Sequence, residues 1–375
     1  MSIKNILFKV TVLPILLAIS PTFTKFVIFK YTSIFAKRGH ANAQYNLGTL
    51  YQVGQGVPQN YEEAVKWYRK AAIQGNDLAQ YNLGVMYQKG QGVVQNHEKA
   101  FEWFSKAAIK GNDSAQYNLG LMYQNGQGVE QNYEKAFKWF GKAAVQGDTE
   151  AQNNLGWMYQ HGEGTLQNYE KAFEWLSKAA AKGSPLAQTN LGWMYQQGQG
   201  VIRNYTLALK WYRKAAKQGV TKAQYNIGRM YLNGEGVAQS DTKAFEWIQK
   251  AALQGDMDAQ NHLGVMFVTG QGVSQSNMNA FEWFSTAAAQ GCASAQTNLG
   301  SMYYQGLGVI QSYEKAFEWV SKAAEQKDMS AQYSLGAMYD NGYGVVKNTV
   351  LAKEWYSKAA NNGHAQAQLV LDEMQ

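Results

Sequence analysis

The sequence predicts an all-α solenoid of helix-loop-helix units, and three observations carry that prediction. The segment Ala43, Gln44, Tyr45, Asn46, Leu47, Gly48 returns every 36 residues without insertion or slip, through Ala331 to Gly336, with a stub at Ala367 and Gln368. Apolar residues inside each unit follow helical spacing, and a residue type that caps helices stands at one fixed position of every unit. A strict period means that each unit buries its apolar face only against its neighbours, so the 375 residues form one elongated array. Two or three separate globular domains, the ordinary expectation for this length, are set aside.

The elements follow in chain order. Residues 1–22 hold Lys4 and Lys9 ahead of an apolar run over 10–19, a length that suits a signal-peptide core and falls short of a bilayer span. They are expected to form a signal peptide or N-terminal hydrophobic anchor, which makes the protein exported, periplasmic or envelope-associated, with a cytoplasmic location as the alternative. Pro21 is unfavourable just after a scissile bond, so cleavage behind Ser20 is disfavoured. Residues 23–42 read as a degenerate half-repeat cap, because Thr24, Tyr31, Ala36 and Gly39 sit one period before a cap position, a Trp, an Ala and a Gly.

Nine repeats fill residues 43–366. In the first, Ala43, Leu47 and Tyr51 lie at i, i+4 and i+8, which predicts helix A over about 42–53. Gly54 and Gly56 end it, since a reversal within four residues needs positive φ angles that glycine reaches cheaply. Helix B starts after Asn60, Asn96, Asn132, Asn168, Asn204, Ser240, Ser276, Ser312 and Asn348; Asn and Ser side chains accept a bond from an otherwise unpaired N–H of the first turn. Ala64, Trp67 and Ala71 then lie at i, i+3 and i+7. The nine tryptophans of that column, Trp67 to Trp355, are expected to stack as buried indoles, each contributing roughly 4–6 kcal/mol of burial. Residues 367–375 are expected to form a C-terminal capping helix.

Composition limits function. The formal charge of +7 rests on Lys4, Lys9, Lys25, Lys30, Lys37 and Arg38; the remainder holds 28 basic residues against 27 acidic, so no nucleic-acid partner is expected. Cys292 is alone, which excludes an intramolecular disulfide and a thiolate metal cage. The five histidines fall mostly in unrelated columns, and there is no His-Glu-x2-His, paired-carboxylate motif or Gly-x-Ser-x-Gly elbow. The Gly-x-Gly loops lack the preceding strand, third glycine and lysine of nucleotide sites. Neither catalysis nor a cofactor nor a metal is expected.

The columns Ala-x3-Leu-Gly-x2-Tyr, Gly-x-Gly-Val and Ala-x2-Trp-x3-Ala-Ala-x2-Gly resemble the Sel1-like repeat family, a 36-residue relative of the tetratricopeptide repeat, over roughly residues 40–370. The resemblance implies a right-handed α-solenoid that holds partner proteins on a concave surface lined by helix A, in proteins that are often exported in bacteria. Lys327 departs from the pattern by replacing the inter-repeat glycine, which is expected to alter the local superhelical angle. Paired cysteines that staple helix pairs in some relatives are missing here.

Specificity is expected where helix A varies while packing columns stay fixed. One such column reads Thr49, Val85, Leu121, Trp157, Trp193, Arg229, Val265, Ser301 and Ala337. Trp157 and Trp193 are the candidate anchors, since tryptophan is enriched among residues that dominate interface energy; filling space between helices is the alternative. Tyr81, Tyr117, Tyr225 and Arg229 extend the lining. An asparagine ladder, Asn82, Asn118, Asn154, Asn190 and Asn226, could bond an extended peptide, with bonding between neighbouring repeats as the somewhat favoured alternative. Helix B alternates charge, with i,i+4 pairs such as Glu102 and Lys106, as a solvated face does. The expected function is a scaffold that binds a protein or peptide; an envelope protein that binds peptidoglycan or another glycan is the alternative, and oligomeric state is left open.

Overall fold

The computed structural model describes residues 21–374, and among these it contains twenty α-helices and no strand. The signal peptide or anchor expected at residues 1–22 lies outside the described residues, apart from Pro21 and Thr22 in the first helix. No described helix is long and apolar enough to cross a membrane.

The chain divides into two compact units, one ending at Ser184 and one beginning at Pro185. The first unit holds α1 (Pro21–Lys37), α2 (Ala41–Val53), α3 (Tyr61–Ile73), α4 (Asp77–Lys89), α5 (His97–Ile109), α6 (Asp113–Asn125), α7 (Tyr133–Gln146), α8 (Thr149–His161) and α9 (Tyr169–Ala181). The second holds α10 (Pro185–Gln197), α11 (Tyr205–Lys217), α12 (Thr221–Asn233), α13 (Asp241–Leu253), α14 (Met257–Thr269), α15 (Asn277–Ala289), α16 (Ala293–Gln305), α17 (Tyr313–Glu325), α18 (Met329–Asn341), α19 (Thr349–Asn361) and α20 (Ala365–Glu373). Helices from α2 onward alternate between A and B, and within each unit a helix A packs on its own helix B and on the helix B before it. This pairing is that of an all-α solenoid.

Local chemistry explains the boundaries. All nine Asn and Ser caps accept a bond from the N–H three residues on, as Asn60 Oδ1 does from Glu63 at 2.9 Å. Helix A ends in a left-handed glycine, Gly90 with φ 68° in α4, whose N–H bonds the Met86 carbonyl. The second loop glycine, Gly92, has φ 68° and also lies against the Tyr61 carbonyl, where a Cβ would collide. Lys327 keeps this kind of turn without glycine: its φ is 67° and its N–H still bonds the Ala324 carbonyl at 3.0 Å.

The core differs from the sequence expectation at its largest side chain. Of the nine column tryptophans only Trp67, 7% exposed, is buried; the other eight are half-buried. The fully enclosed position is the next one, occupied by Tyr68, Phe104, Phe140, Leu176, Tyr212, Ile248, Phe284, Val320 and Tyr356, all 4% exposed or less. These side chains lie on the glycine of their own helix A; a Cβ on Gly120 would sit 2.6 Å from Phe140 Cδ1. Close helix contact therefore depends on glycine meeting this variable column, while the tryptophan one residue earlier is turned toward the rim.

A second packing device is polar. Gln44 and its repeats at 80, 116, 152, 188, 224, 260, 296 and 332 are all buried. Gln116 Nε2 donates to the Ala108 carbonyl at 3.1 Å, and its Oε1 accepts from Gln146 Nε2 at 2.8 Å. Both amide ends are satisfied, so the rung ties successive repeats without a desolvation penalty.

Candidate partner-binding face

The candidate residues lie on helix A of successive repeats, in both units. In the first unit, Tyr81 on α4 and Tyr117 on α6 rest on Phe104 and Phe140, with ring centroids 5.7 and 5.8 Å apart. Burial raises both phenol pKa values, and Asn118 near Tyr81 and Asn154 near Tyr117, each from the following repeat, oppose that rise. Asn82 likewise lies near the Tyr68 hydroxyl, whose pKa burial pushes up to about 12. Asn118 Nδ2 donates to the Ser114 carbonyl at 2.8 Å. These asparagines stand beside tyrosines of the preceding repeat.

Trp157 on α8 is half-buried and carries His161 stacked on its indole, centroids 4.2 Å apart. His161 Nδ1 lies 2.9 Å from the Trp157 carbonyl, which fixes the stack. One turn along, Gln160 is 8% exposed and its Oε1 has no protein partner. The reason lies in the core column: Tyr68 donates its hydroxyl to Gln52 Oε1 at 2.5 Å and Tyr212 to Gln196 Oε1 at 2.9 Å, whereas Leu176 has nothing to donate.

In the second unit, Trp193 and Asn190 lie on α10, Trp193 half-buried against the core. Tyr225, Asn226 and Arg229 come together on α12. The Arg229 guanidinium stands 6.0 Å from the Tyr225 ring, and the Tyr225 hydroxyl lies 3.3 Å from His262 Nδ1. Asn226 is buried near the Tyr212 hydroxyl. Burial raises the Tyr225 pKa; burial first, then the Arg229 charge, lowers that of His262, which favours its neutral form. His262 is part of this cluster although it reads in sequence only as a gap in the asparagine ladder. Its one signal is that it takes the ladder position itself, one repeat after Tyr225.

The opposite face, on helix B, also differs from expectation. Lys106 lies over the Trp103 ring, 4.2 Å from its centroid, where a pair with Glu102 was expected. The same lysine covers Trp67, Trp139, Trp175, Trp211, Trp247, Trp319 and Trp355 at 3.8–4.6 Å. A cation over a half-exposed indole contributes about 0.5–1 kcal/mol and shields the ring from water. The i,i+4 ion pairs Glu174–Lys178, Glu318–Lys322 and Glu354–Lys358 are exposed. Among the described residues no cluster of His, Cys, Asp and Glu could hold a metal ion. Cys292 is a buried helix N-cap residue without a side-chain cap bond.

Stacked helix pairs of constant length, caps and loops define a solenoid of helix-loop-helix repeats, a class whose members are told apart by repeat type. The Sel1 repeat model matches nine times, at residues 41–76, 77–112, 113–148, 149–184, 185–220, 221–256, 258–292, 293–328 and 330–364. The chain belongs to the Sel1 repeat family. It is similar to c5321, a protective antigen present in uropathogenic Escherichia coli strains and displaying an SLR fold, with 39% identity, 92% of this chain and 74% of that one covered, and a TM-score of 0.74. A Sel1 repeat protein from Oxalobacter formigenes is 34% identical over 82% of this chain and 89% of its own, with a TM-score of 0.66. No significant match was found among curated proteins. Sel1 repeat proteins generally mediate protein–protein interactions.

Proposed function

We propose that this chain is a non-catalytic scaffold that holds a protein or peptide partner on its helix-A face, at an exported or envelope location. The supporting observation is the contrast between columns: the small and amide packing columns stay fixed and buried, while Trp157, Trp193 and Arg229 replace one another at a position that leaves them half-buried or exposed. Half-buried indoles supply contact area at low entropic cost, and Arg229 beside Tyr225 adds a directional charge. The asparagine ladder enters this reading as a spacer that orders the tyrosines, with its remaining hydrogen-bonding capacity open to a peptide backbone. A peptide suits Trp157 better than a sugar, because His161 already covers one face of its indole. The apolar run after Lys4 and Lys9 supports the envelope location.

The test is affinity capture from a native envelope fraction with the full chain and with a Trp157→Ala, Trp193→Ala variant whose helical circular dichroism matches the parent. A protein retained by the parent and lost by the variant supports the reading. Identical captures with both would overturn the assignment of these indoles.

A further inference from the structure

The near-neutral charge of the array beyond Arg38 conceals a segregation on helix B of the second unit. Between Glu174 and Glu235 the sequence holds no aspartate or glutamate, while lysine and arginine continue at their usual density. The centre of this stretch is α11, whose first turn lacks the acidic residue found in most other B helices. Lys210, Arg213, Lys214 and Lys217 lie at i, i+3, i+4 and i+7, so they share one face over roughly 10 Å of helix. Together with Thr206, Leu209, Gly236 and Val237 they line a recess of about 390 Å³.

The cations are arranged and are not neutralised. In α17 and α19 the residue four before the lysine is a glutamate that pairs with it; in α11 that residue is Lys210. Lys214 is held over Trp211 at 4.2 Å, and Arg213 Nη2 donates to the Tyr231 hydroxyl at 3.2 Å, leaving its other N–H groups for a ligand. Among the described residues no ion pair includes any of the four. The neighbouring acids are engaged elsewhere: Asp241 accepts from Gln271, and Glu235 from Gln196 and Asn233. Leu209 is buried, and with Val237 it gives the recess an apolar floor.

We propose that this recess docks a short acidic segment of a partner protein, its carboxylates facing the four cations and an apolar side chain seated against Leu209 and Val237. A nucleic acid engages a longer track of phosphates, whereas the cations flanking this stripe are already occupied: Lys222 pairs with Asp258 at 3.0 Å and Arg203 lies over Tyr205. A flat lipid surface does not reach the floor of a recess. The surface is on helix B and does not depend on the helix-A reading above.

The experiment is fluorescence anisotropy of a labelled peptide of three Glu-Glu-Leu-Glu units, titrated with the full chain at low and at physiological salt. The parent should bind with an affinity that falls as salt rises. Lys210→Glu, Lys214→Glu should weaken binding by tenfold or more, while Lys315→Glu, Lys322→Glu, an equal charge reversal on α17, should change it less than twofold. The Trp157→Ala, Trp193→Ala variant should bind this peptide as the parent does, which separates failure here from failure of the helix-A proposal. No binding by the parent, or equal loss in both charge reversals, overturns the proposal. Tighter binding of an oligothymidine or of phosphatidylglycerol vesicles, lost in the α11 variant, overturns it in favour of nucleic acid or lipid.

Discussion

Trp139 and Phe140 are adjacent in the chain and meet opposite surroundings. Phe140 is fully enclosed against Gly120, while Trp139 is half-buried with Lys142 4.0 Å from its ring. Yet the tryptophan position is constant through all nine repeats, and the enclosed one ranges over Tyr, Phe, Leu, Ile and Val. Constancy within an array therefore does not rank burial. The enclosed column varies because each side chain fills a niche set by its own repeat, against one glycine, and several apolar shapes fill it. The tryptophan stays fixed because the same lysine and the same neighbouring helix meet it in nearly every repeat.

Substitutions in α7 test this contrast most directly. Phe140→Ala should destabilise the array by about 3–5 kcal/mol through lost burial and the cavity left behind. Trp139→Ala should cost about 2 kcal/mol, because a half-exposed ring gives up only part of its apolar area. Urea denaturation followed by circular dichroism, with hydrogen exchange resolved to α7 and α8, reads both; the array need not unfold in one step, so the local readout matters. An equal loss for the two variants would break the comparison. Gly120→Ala sharpens it. Alanine gains about 1 kcal/mol of helix propensity over glycine, but the added Cβ lies 2.6 Å from two atoms of Phe140. Overpacking of about 1–3 kcal/mol then leaves a net loss of up to about 2 kcal/mol. Gly120→Ala made together with Phe140→Ala should recover part of that loss.

The period, the nine caps and the glycine turns were legible because each acts within a few residues, where spacing alone determines which atoms meet. Helix bounds came within a residue or so for the same reason. The indole's partner is legible in principle, since a lysine stands three residues after eight of the nine tryptophans, but the same lysines also fit a solvated charge pattern, and spacing alone does not choose between the two. The bonds that the spacing does not reveal run across longer separations: Tyr225 to His262 and Gln146 to Gln116 join residues thirty or more apart. No helical periodicity brings such pairs together. Only the stacking distance between units does, and a sequence read one repeat at a time does not contain it. In the candidate face the same limit applies: side-chain types on helix A were readable, but the cover of Trp157 by His161 depended on the rotamer that the His161–carbonyl bond selects.

The polar rungs carry the comparison between fixed and variable positions to its smallest expected effect. Gln44 and Gln116 each receive an amide donor thirty residues on, from Gln74 and Gln146. At the rungs that follow each of these, Gln80 and Gln152, that donor position holds Lys110 and Lys182, whose ammonium groups bond the Gly75 and Gly147 carbonyls at 2.6 Å. Gln80 Oε1 and Gln152 Oε1 are left buried without a partner. The constant glutamine is thus only as well satisfied as the variable residue opposite it. Lys110→Gln should supply the missing donor and stabilise the first unit by about 1 kcal/mol, since a buried unpaired acceptor costs about 1–3 kcal/mol and the lysine bond given up is exposed. Lys110→Ala removes the exposed bond without supplying the donor and should bring no gain. If the two substitutions shift the urea midpoint equally, the orphaned carbonyl contributes nothing, and the glutamine column is held by its Nε2 bond to the preceding repeat alone.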